Sequence, residues 1–252
     1  MKKAEIYDTL NAAYFSDEAH EQDLLAHLPL LLPDVRLAVD CGASLGQYTR
    51  ALARLMRGGE IHAIEADPIR LEQLARNADL WSAKSDASII THHFALTDSA
   101  GHVDYYVTNS DVSGGLERHD SMSDSWEQIN VPAIRLDDLF PAAPDFIKID
   151  VEGAELSVLR GAKRILSQGS PVLLIELHDW HGDGRDREVR KLMRDLGYKS
   201  TTFFDHAVFT KNPQQHRRLL ALELAEPGGA KARLVETVKA VGRGAATAMR
   251  PG

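Results

Sequence analysis

Two groups of residues in this chain have the types and spacing that chemistry requires. The first is the run Val39-Asp-Cys-Gly-Ala-Ser-Leu-Gly46, followed by Glu65, 19 residues after Gly46. Gly42 and Gly46 allow a tight turn and a close backbone approach, because a Cβ there would collide with a bound molecule. Asp40, just before the glycines, suits a cationic group better than a pyrophosphate. A dinucleotide fingerprint would carry a third glycine and would not favour an acid at that point. Glu65 ends an apolar run, where a carboxylate can accept hydrogen bonds from both hydroxyls of a ribose. An ammonium for Asp40 and a ribose for Glu65 together describe S-adenosylmethionine better than a nicotinamide dinucleotide. Ala43 and Ala66 lie in the same two turns. Phe94 and Ala95 end a third apolar run, where an adenine could pack.

The second group is Asp150, Glu152, Glu176 and His178. Glu176 and His178 are two apart, so strand alternation puts them on one side. An acceptor hydroxyl must be held in place and must lose its proton, so a base is expected beside it. His178, whose unperturbed pKa of about 6.5 is near working pH, is the expected general base. Asp150 and Glu176 would orient it. The same three, Asp150, Glu176 and His178, also offer ligands for a divalent cation such as Mg²⁺. His181, Asp183 and Asp186 extend that acidic, histidine-bearing loop, and Trp180 could stack on a sugar face. Lys148 is mid-strand and suits neutralising a carboxylate. His92 and His93 fall on opposite sides of a strand and cannot share one metal. Cys41 abuts the glycine turn, which would make activity sensitive to alkylation.

The elements that must hold these residues alternate in type. Apolar runs at Arg36–Asp40, Ile61–Glu65, Ser88–Ala95, His102–Val107, Asp145–Asp150 and Pro171–Leu177 read as strands. Helical patterns separate several of them, stopped by Gly58-Gly59 and Gly169. One helix is expected from residue 151 to about Ser167, another to Leu196, and a closing strand pair around Tyr198–Phe204 and Ala207–Thr210. The polar stretch Asn109 to Ser125 reads as a loop and a candidate lid. This alternation implies an α/β fold with a parallel sheet covered on both faces and no second domain.

Three segments resemble the FkbM family of S-adenosylmethionine-dependent methyltransferases: Val39 to Thr49, Ile64-Glu-Ala-Asp-Pro68, and Phe146-Ile-Lys-Ile-Asp-Val-Glu-Gly-Ala-Glu155 with Leu159-Arg-Gly-Ala162. Ile175-Glu-Leu-His178 also looks like the family's. The resemblance covers roughly residues 36–210. It implies a Rossmann-like, doubly wound, mostly parallel seven-stranded sheet with an antiparallel final strand. It also implies methyl transfer onto a hydroxyl of a sugar or natural product. Glu65-Ala-Asp-Pro departs from the family's more usual Glu-Pro pairing. The expected organisation is an N-terminal helical extension over 1–33, the methyltransferase domain over 34–210 and a basic tail over 211–252.

Composition narrows the alternatives. The 252 residues are 44% hydrophobic and 26% charged, as in ordinary globular proteins. No apolar run is long enough to span a bilayer, and the N-terminus does not read as a signal peptide. A single cysteine excludes a disulfide framework and fits the cytoplasm. The net charge of −8 argues against nucleic acid as partner. The tail from 211 carries +5, leaving −13 on the remainder. Its Leu234, Val235, Val238 and Val241 are spaced as in a short amphipathic helix, a weak anchor for anionic lipid. Homo-oligomerisation is left open. The leading reading is an O-methyltransferase acting on a small hydroxylated acceptor, a sugar or glycosylated metabolite. The others are N-methylation or a lipid-linked acceptor at a membrane, and a non-catalytic nucleoside-binding scaffold.

Overall fold

The computed structural model describes residues 22–32, 34–108, 114–117, 126–178, 184–203 and 206–225. His181, Asp183, Trp180, most of the expected lid and the tail beyond 225 lie outside the described residues. So does most of the N-terminal stretch.

A seven-stranded sheet runs β10-β11-β9-β8-β1-β2-β3. Its strands are β1 (Leu37–Cys41), β2 (Glu60–Glu65), β3 (Ser88–His93), β8 (Phe146–Ile149), β9 (Val172–Ile175), β10 (Lys199–Phe203) and β11 (His206–Thr210). All pairings are parallel except those of β11, which runs against both β9 and β10. The expected mostly parallel sheet with an antiparallel final strand is the one observed.

Alternation along the strands feeds a core on each face. Val39, Cys41, Ile147, Ile149, Leu173 and Ile175 point one way and meet Leu136, Val158, Leu159, Ile165 and Val189. Ala38, Phe146 and Leu174 point the other way and meet Leu24, Leu28, Tyr48, Leu52 and Leu219. Helices cover the two faces. On the first lie α4 (Leu136–Leu139), α5 (Glu155–Arg160), α6 (Lys163–Gln168) and α7 (Arg185–Asp195). On the second lie α1 (Gln22–His27), α2 (Gln47–Leu55) and α8 (Pro213–Ala225). Leu24, Leu28, Leu31 and Leu219 are each at most 1% exposed. Leucines of the expected extension and of the expected tail thus pack into the core on this face.

Two features depart from expectation. A second sheet, β4-β7-β5-β6, was not expected, although its β5 is the strand read at His102–Val107: β4 is Ala95–Leu96, β5 Gly101–Thr108, β6 Gly114–Gly115 and β7 Trp126–Ile134. The single run Ser88–Ala95 is split between the two sheets, and β6 lies inside the stretch read as a loop. The single helix expected after β8 is two, because it breaks at Gly161. A Cβ there would lie 2.1 Å from the carbonyl oxygen of Thr97, so the chains touch backbone to backbone.

Candidate active site

The chain leaves β1 for β2 on one side and later β8 for β9 on the other, so the order reverses between β1 and β8. A crevice forms at the carboxyl ends of strands at such a switch point. Here it is made by necessity of backbone geometry. Gly42 has φ +74, and a Cβ on it would sit 1.8 Å from the Asp150 carbonyl oxygen. Only glycine lets the two strand ends approach this closely. The resulting cleft encloses about 700 Å³ with its open mouth included.

One wall is the end of β2. Glu65 is 3% exposed, and its two oxygens accept from the backbone N–H of Ser44 and of Asp67, both at 2.8 Å. Burial pushes its carboxyl up, opposed by nearby Arg70. Asp67 then caps α3 (Pro68–Ser82), accepting from Ile69 N at 2.8 Å, with Pro68 in the first turn where its missing N–H costs nothing. Ser44 lines the cleft with φ 49, and its buried hydroxyl has no hydrogen-bond partner among the described residues. The second sheet forms the roof: Leu96, Tyr105 and Gly114 line the cleft from above. A Cβ on Gly114 would lie 3.1 Å from the Tyr105 hydroxyl and 3.3 Å from Arg70 Nη2, so the roof sits tightly.

Of the residues expected to hold a cofactor, Gly42, Glu65, Ala66, Phe94, Ala95 and Asp150 line this cleft. Asp40, Ala43 and Gly46 do not. Asp40 is wholly buried and caps α2 from outside the helix, its Oδ2 accepting from Thr49 N at 2.9 Å and Thr49 Oγ1 at 2.6 Å. Burial raises its pKa, which Lys148 and Thr49 oppose. Ala43 packs with Ala63 and Leu74. Gly46, φ +95, is glycine because a Cβ would meet Leu74 and Trp81 within 3 Å. Cys41 is buried and its thiol is pushed up by that burial, so the expected alkylation sensitivity has no exposed thiolate behind it.

The opposite wall carries the second group, brought together as expected. Lys148 Nζ donates to Asp150 Oδ2 at 2.8 Å and lies 4.6 Å from the Tyr48 ring centroid. Burial alone would raise Asp150, but this ammonium outweighs it and holds the carboxyl below its ordinary value. His178 is enclosed by three carboxylates. Its Nδ1–H donates to Glu155 Oε1 at 2.9 Å, while Nε2 lies 3.4 Å from Glu176 Oε1 and 3.7 Å from Glu152 Oε2. Burial disfavours its charge, yet the bonds to Glu155 and Glu176 prevail and lift its pKa to about 10. A pKa so far above neutrality favours the protonated imidazole, which opposes the general-base role expected of His178.

Glu152 takes the opposite course. Burial, then the charges of Asp150 and Glu176, push its carboxyl up to about 7. It lines the cleft, and its backbone is in the left-handed region at φ 52. That conformation is rare outside glycine and clusters where function demands it. Ser44 shares it on the facing wall. Glu155 and His206 are participants that the sequence did not single out. Glu155 Oε1 also accepts from Gly153 N at 2.9 Å, tying His178 to the turn that bears Glu152. His206, wholly buried on β11, has Nε2 3.6 Å from Glu176 Oε2. Only the Glu-Gly-Ala-Glu spacing hinted at Glu155, and nothing local marks His206.

Asp150, Glu176 and His178 each bring one ligand atom within 4.8 Å of the other two. Two of the three are already engaged, His178 Nδ1 by Glu155 and Asp150 by Lys148. Elsewhere, His62 and His92 stack at 5.0 Å, and His93 contacts the Ala66 carbonyl at 3.0 Å, steadying that wall of the cleft. No helix among the described residues is long and apolar enough to cross a membrane.

Comparison with known proteins agrees with this architecture. The crystal structure of a methyltransferase FkbM from Methylobacillus flagellatus KT superposes with a TM-score of 0.52 at 23% identity, covering 71% of this chain and 45% of that one. The chain thus spans under half the length of that structure. The methyltransferase sdnD of Sordaria araneosa is 25% identical over 201 residues, 68% of this chain and 76% of that protein. The Methyltransferase FkbM domain matches residues 40–200, a span that holds every residue lining the cleft. The chain belongs to the FkbM methyltransferase family.

Proposed function

We propose that the protein is an S-adenosylmethionine-dependent O-methyltransferase whose acceptor is a hydroxyl of a sugar or glycosylated metabolite. The observation that carries this reading is one cleft with two unlike walls. A buried carboxylate faces it on one side, and an acid with a pKa of about 7 faces it on the other. Glu65 is already fixed by two backbone amides, and each of its oxygens keeps a lone pair for a ribose hydroxyl. The unpartnered Ser44 hydroxyl beside it gives the cleft a further polar contact. Ala66, Phe94 and Ala95 offer the apolar surface for an adenine. Asp150, held ionised, takes the cationic end in place of Asp40.

When bound, S-adenosylmethionine supplies a methyl group on a sulfonium for in-line displacement. The chain's own residues do the rest. Glu152 accepts the proton of the attacking hydroxyl, with a pKa matched to neutral pH. His178, protonated, keeps Glu152, Glu155 and Glu176 from repelling one another and so positions Glu152. Lys148 does the same for Asp150. The roof strands exclude water from the cleft.

Calorimetric titration with S-adenosylmethionine tests the reading. The wild type should bind at micromolar concentration, Glu65→Ala should lose at least about tenfold in affinity, and EDTA should change nothing. Equal binding by Glu65→Ala would overturn the cofactor placement.

A further inference from the structure

A second cavity opens beside the cleft and shares Leu116, Glu152 and Ala154 with it. It encloses about 1030 Å³ with its open mouth, so it is the roomier of the two. Its other side chains come from α5 and α7 and from residues after β6. The rim is built of charge pairs. Arg185 Nη2 donates to Glu117 Oε2 at 2.6 Å, and Arg160 Nη2 to Glu188 Oε2 at 3.3 Å. Arg185 Nη1 also donates to the Gly153 carbonyl at 3.1 Å, so its guanidinium is anchored to the turn that carries Glu152. Gly115 presses on the same turn: a Cβ there would lie 3.2 Å from the Glu152 carbonyl oxygen. Glu152 is thus reachable from both cavities, with Leu116 above the junction.

We infer, on the basis of the O-methyl-transfer reading above, that this groove is the acceptor subsite and Arg185 its specificity-determining residue, selecting an uncharged, polyhydroxylated acceptor. The chemistry of the rim decides the class. An anionic acceptor would bring its charge toward Glu117, Glu188, Asp150, Glu152 and Glu176. A cationic acceptor would bring its charge against the guanidinium groups of Arg160 and Arg185. A flat aromatic acceptor would desolvate the charged rim over most of its area without hydrogen-bonding to it. A hydroxyl, by contrast, donates to a carboxylate lone pair and accepts from a guanidinium N–H without breaking either pair. Ser157, whose Oγ accepts from Asp98 N at 3.1 Å, still has its O–H to donate. Several hydroxyls bound along such a rim fix the orientation of the one that meets Glu152.

The test is saturation-transfer NMR on the full-length protein loaded with S-adenosylhomocysteine, using cellobiose, glucuronate, glucosamine and catechol as probes. Cellobiose should receive saturation and the other three should not. Arg185→Ala should weaken cellobiose binding at least about tenfold, and Arg185→Lys nearly as much, because a lysine cannot bridge Gly153 and Glu117. Affinity for S-adenosylhomocysteine, measured on the same variants, should stay within about twofold, which a collapsed site would not allow. Preferential binding of glucuronate, glucosamine or catechol would overturn the inference. So would cellobiose binding that Arg185→Ala leaves unchanged, or none at all to the loaded wild type. A wild type that fails to bind S-adenosylhomocysteine would overturn the cofactor reading itself, and this inference with it.

Discussion

Glu152 and His178 are neighbours with inverted titration. The carboxyl is lifted to about 7 and the imidazole to about 10, so near pH 7 the histidine is charged and the acid half-protonated. For Glu152, whose folded pKa exceeds the ordinary 4.5, ionisation disfavours the fold. Stability is lost as pH rises from about 4.5 to 7 and is level above. Glu152→Gln should therefore stabilise the protein by about 1–3 kcal/mol at pH 8 while lowering kcat/KM by about 10²–10⁴-fold. Denaturant titration and initial rates measure the two. For His178 the stabilisation is fully present below pH 6.5 and is lost as pH climbs to about 10. His178→Gln should cost about 2–4 kcal/mol at pH 6 and little at pH 10.5, read from unfolding curves at each pH. The sequence made His178 visible but not its state. Its ordinary pKa argues for a base, and only the strand ends brought together by β8 and β9 reveal the three carboxylates around it.

At the scale of elements, the turn after β1 illustrates how a motif can be legible while its roles are not. Val39 to Gly46 was recognisable as a nucleotide-site turn, yet each residue answers to a different constraint. Gly42 yields to the Asp150 backbone, Gly46 to α3, and Asp40 to the first turn of α2. Asp40→Asn should thus cost about 1–2 kcal/mol of stability through the weakened cap while changing S-adenosylhomocysteine affinity by less than about threefold. Thermal unfolding and calorimetry on the one variant separate these effects. Gly46→Ala, strained at φ +95 and blocked by Leu74 and Trp81, should destabilise by about 2–4 kcal/mol, by the same unfolding assay. The second sheet escaped the sequence for a physical reason. Only Val131 to Ile134 of β7 alternate between buried and half-exposed residues, and β6 is two glycines without a periodicity to read. Long-range pairing, not local pattern, makes them strands.

Across the whole molecule, the parallel sheet was legible because both its faces are buried, which leaves short continuous apolar runs. The packing of the terminal helices was not. Leu24, Leu28 and Leu219 look like parts of terminal helices in sequence, and their burial depends on a sheet assembled from residues far away. Among the described residues, none lining the cleft or the groove lies beyond 188. A chain ending at residue 225 should accordingly bind S-adenosylhomocysteine within about twofold of the full chain, as calorimetry would show. The proposed reading rests on Glu65 and the Asp150–Glu152 turn lining one cleft. A crystal structure with S-adenosylhomocysteine tests that reading most directly. The ribose hydroxyls should lie on the Glu65 carboxylate, the adenine against Phe94 and Ala95, and the sulfur toward Glu152. A ligand whose ribose turns away from Glu65, or whose amino group is held by Asp40, would contradict it.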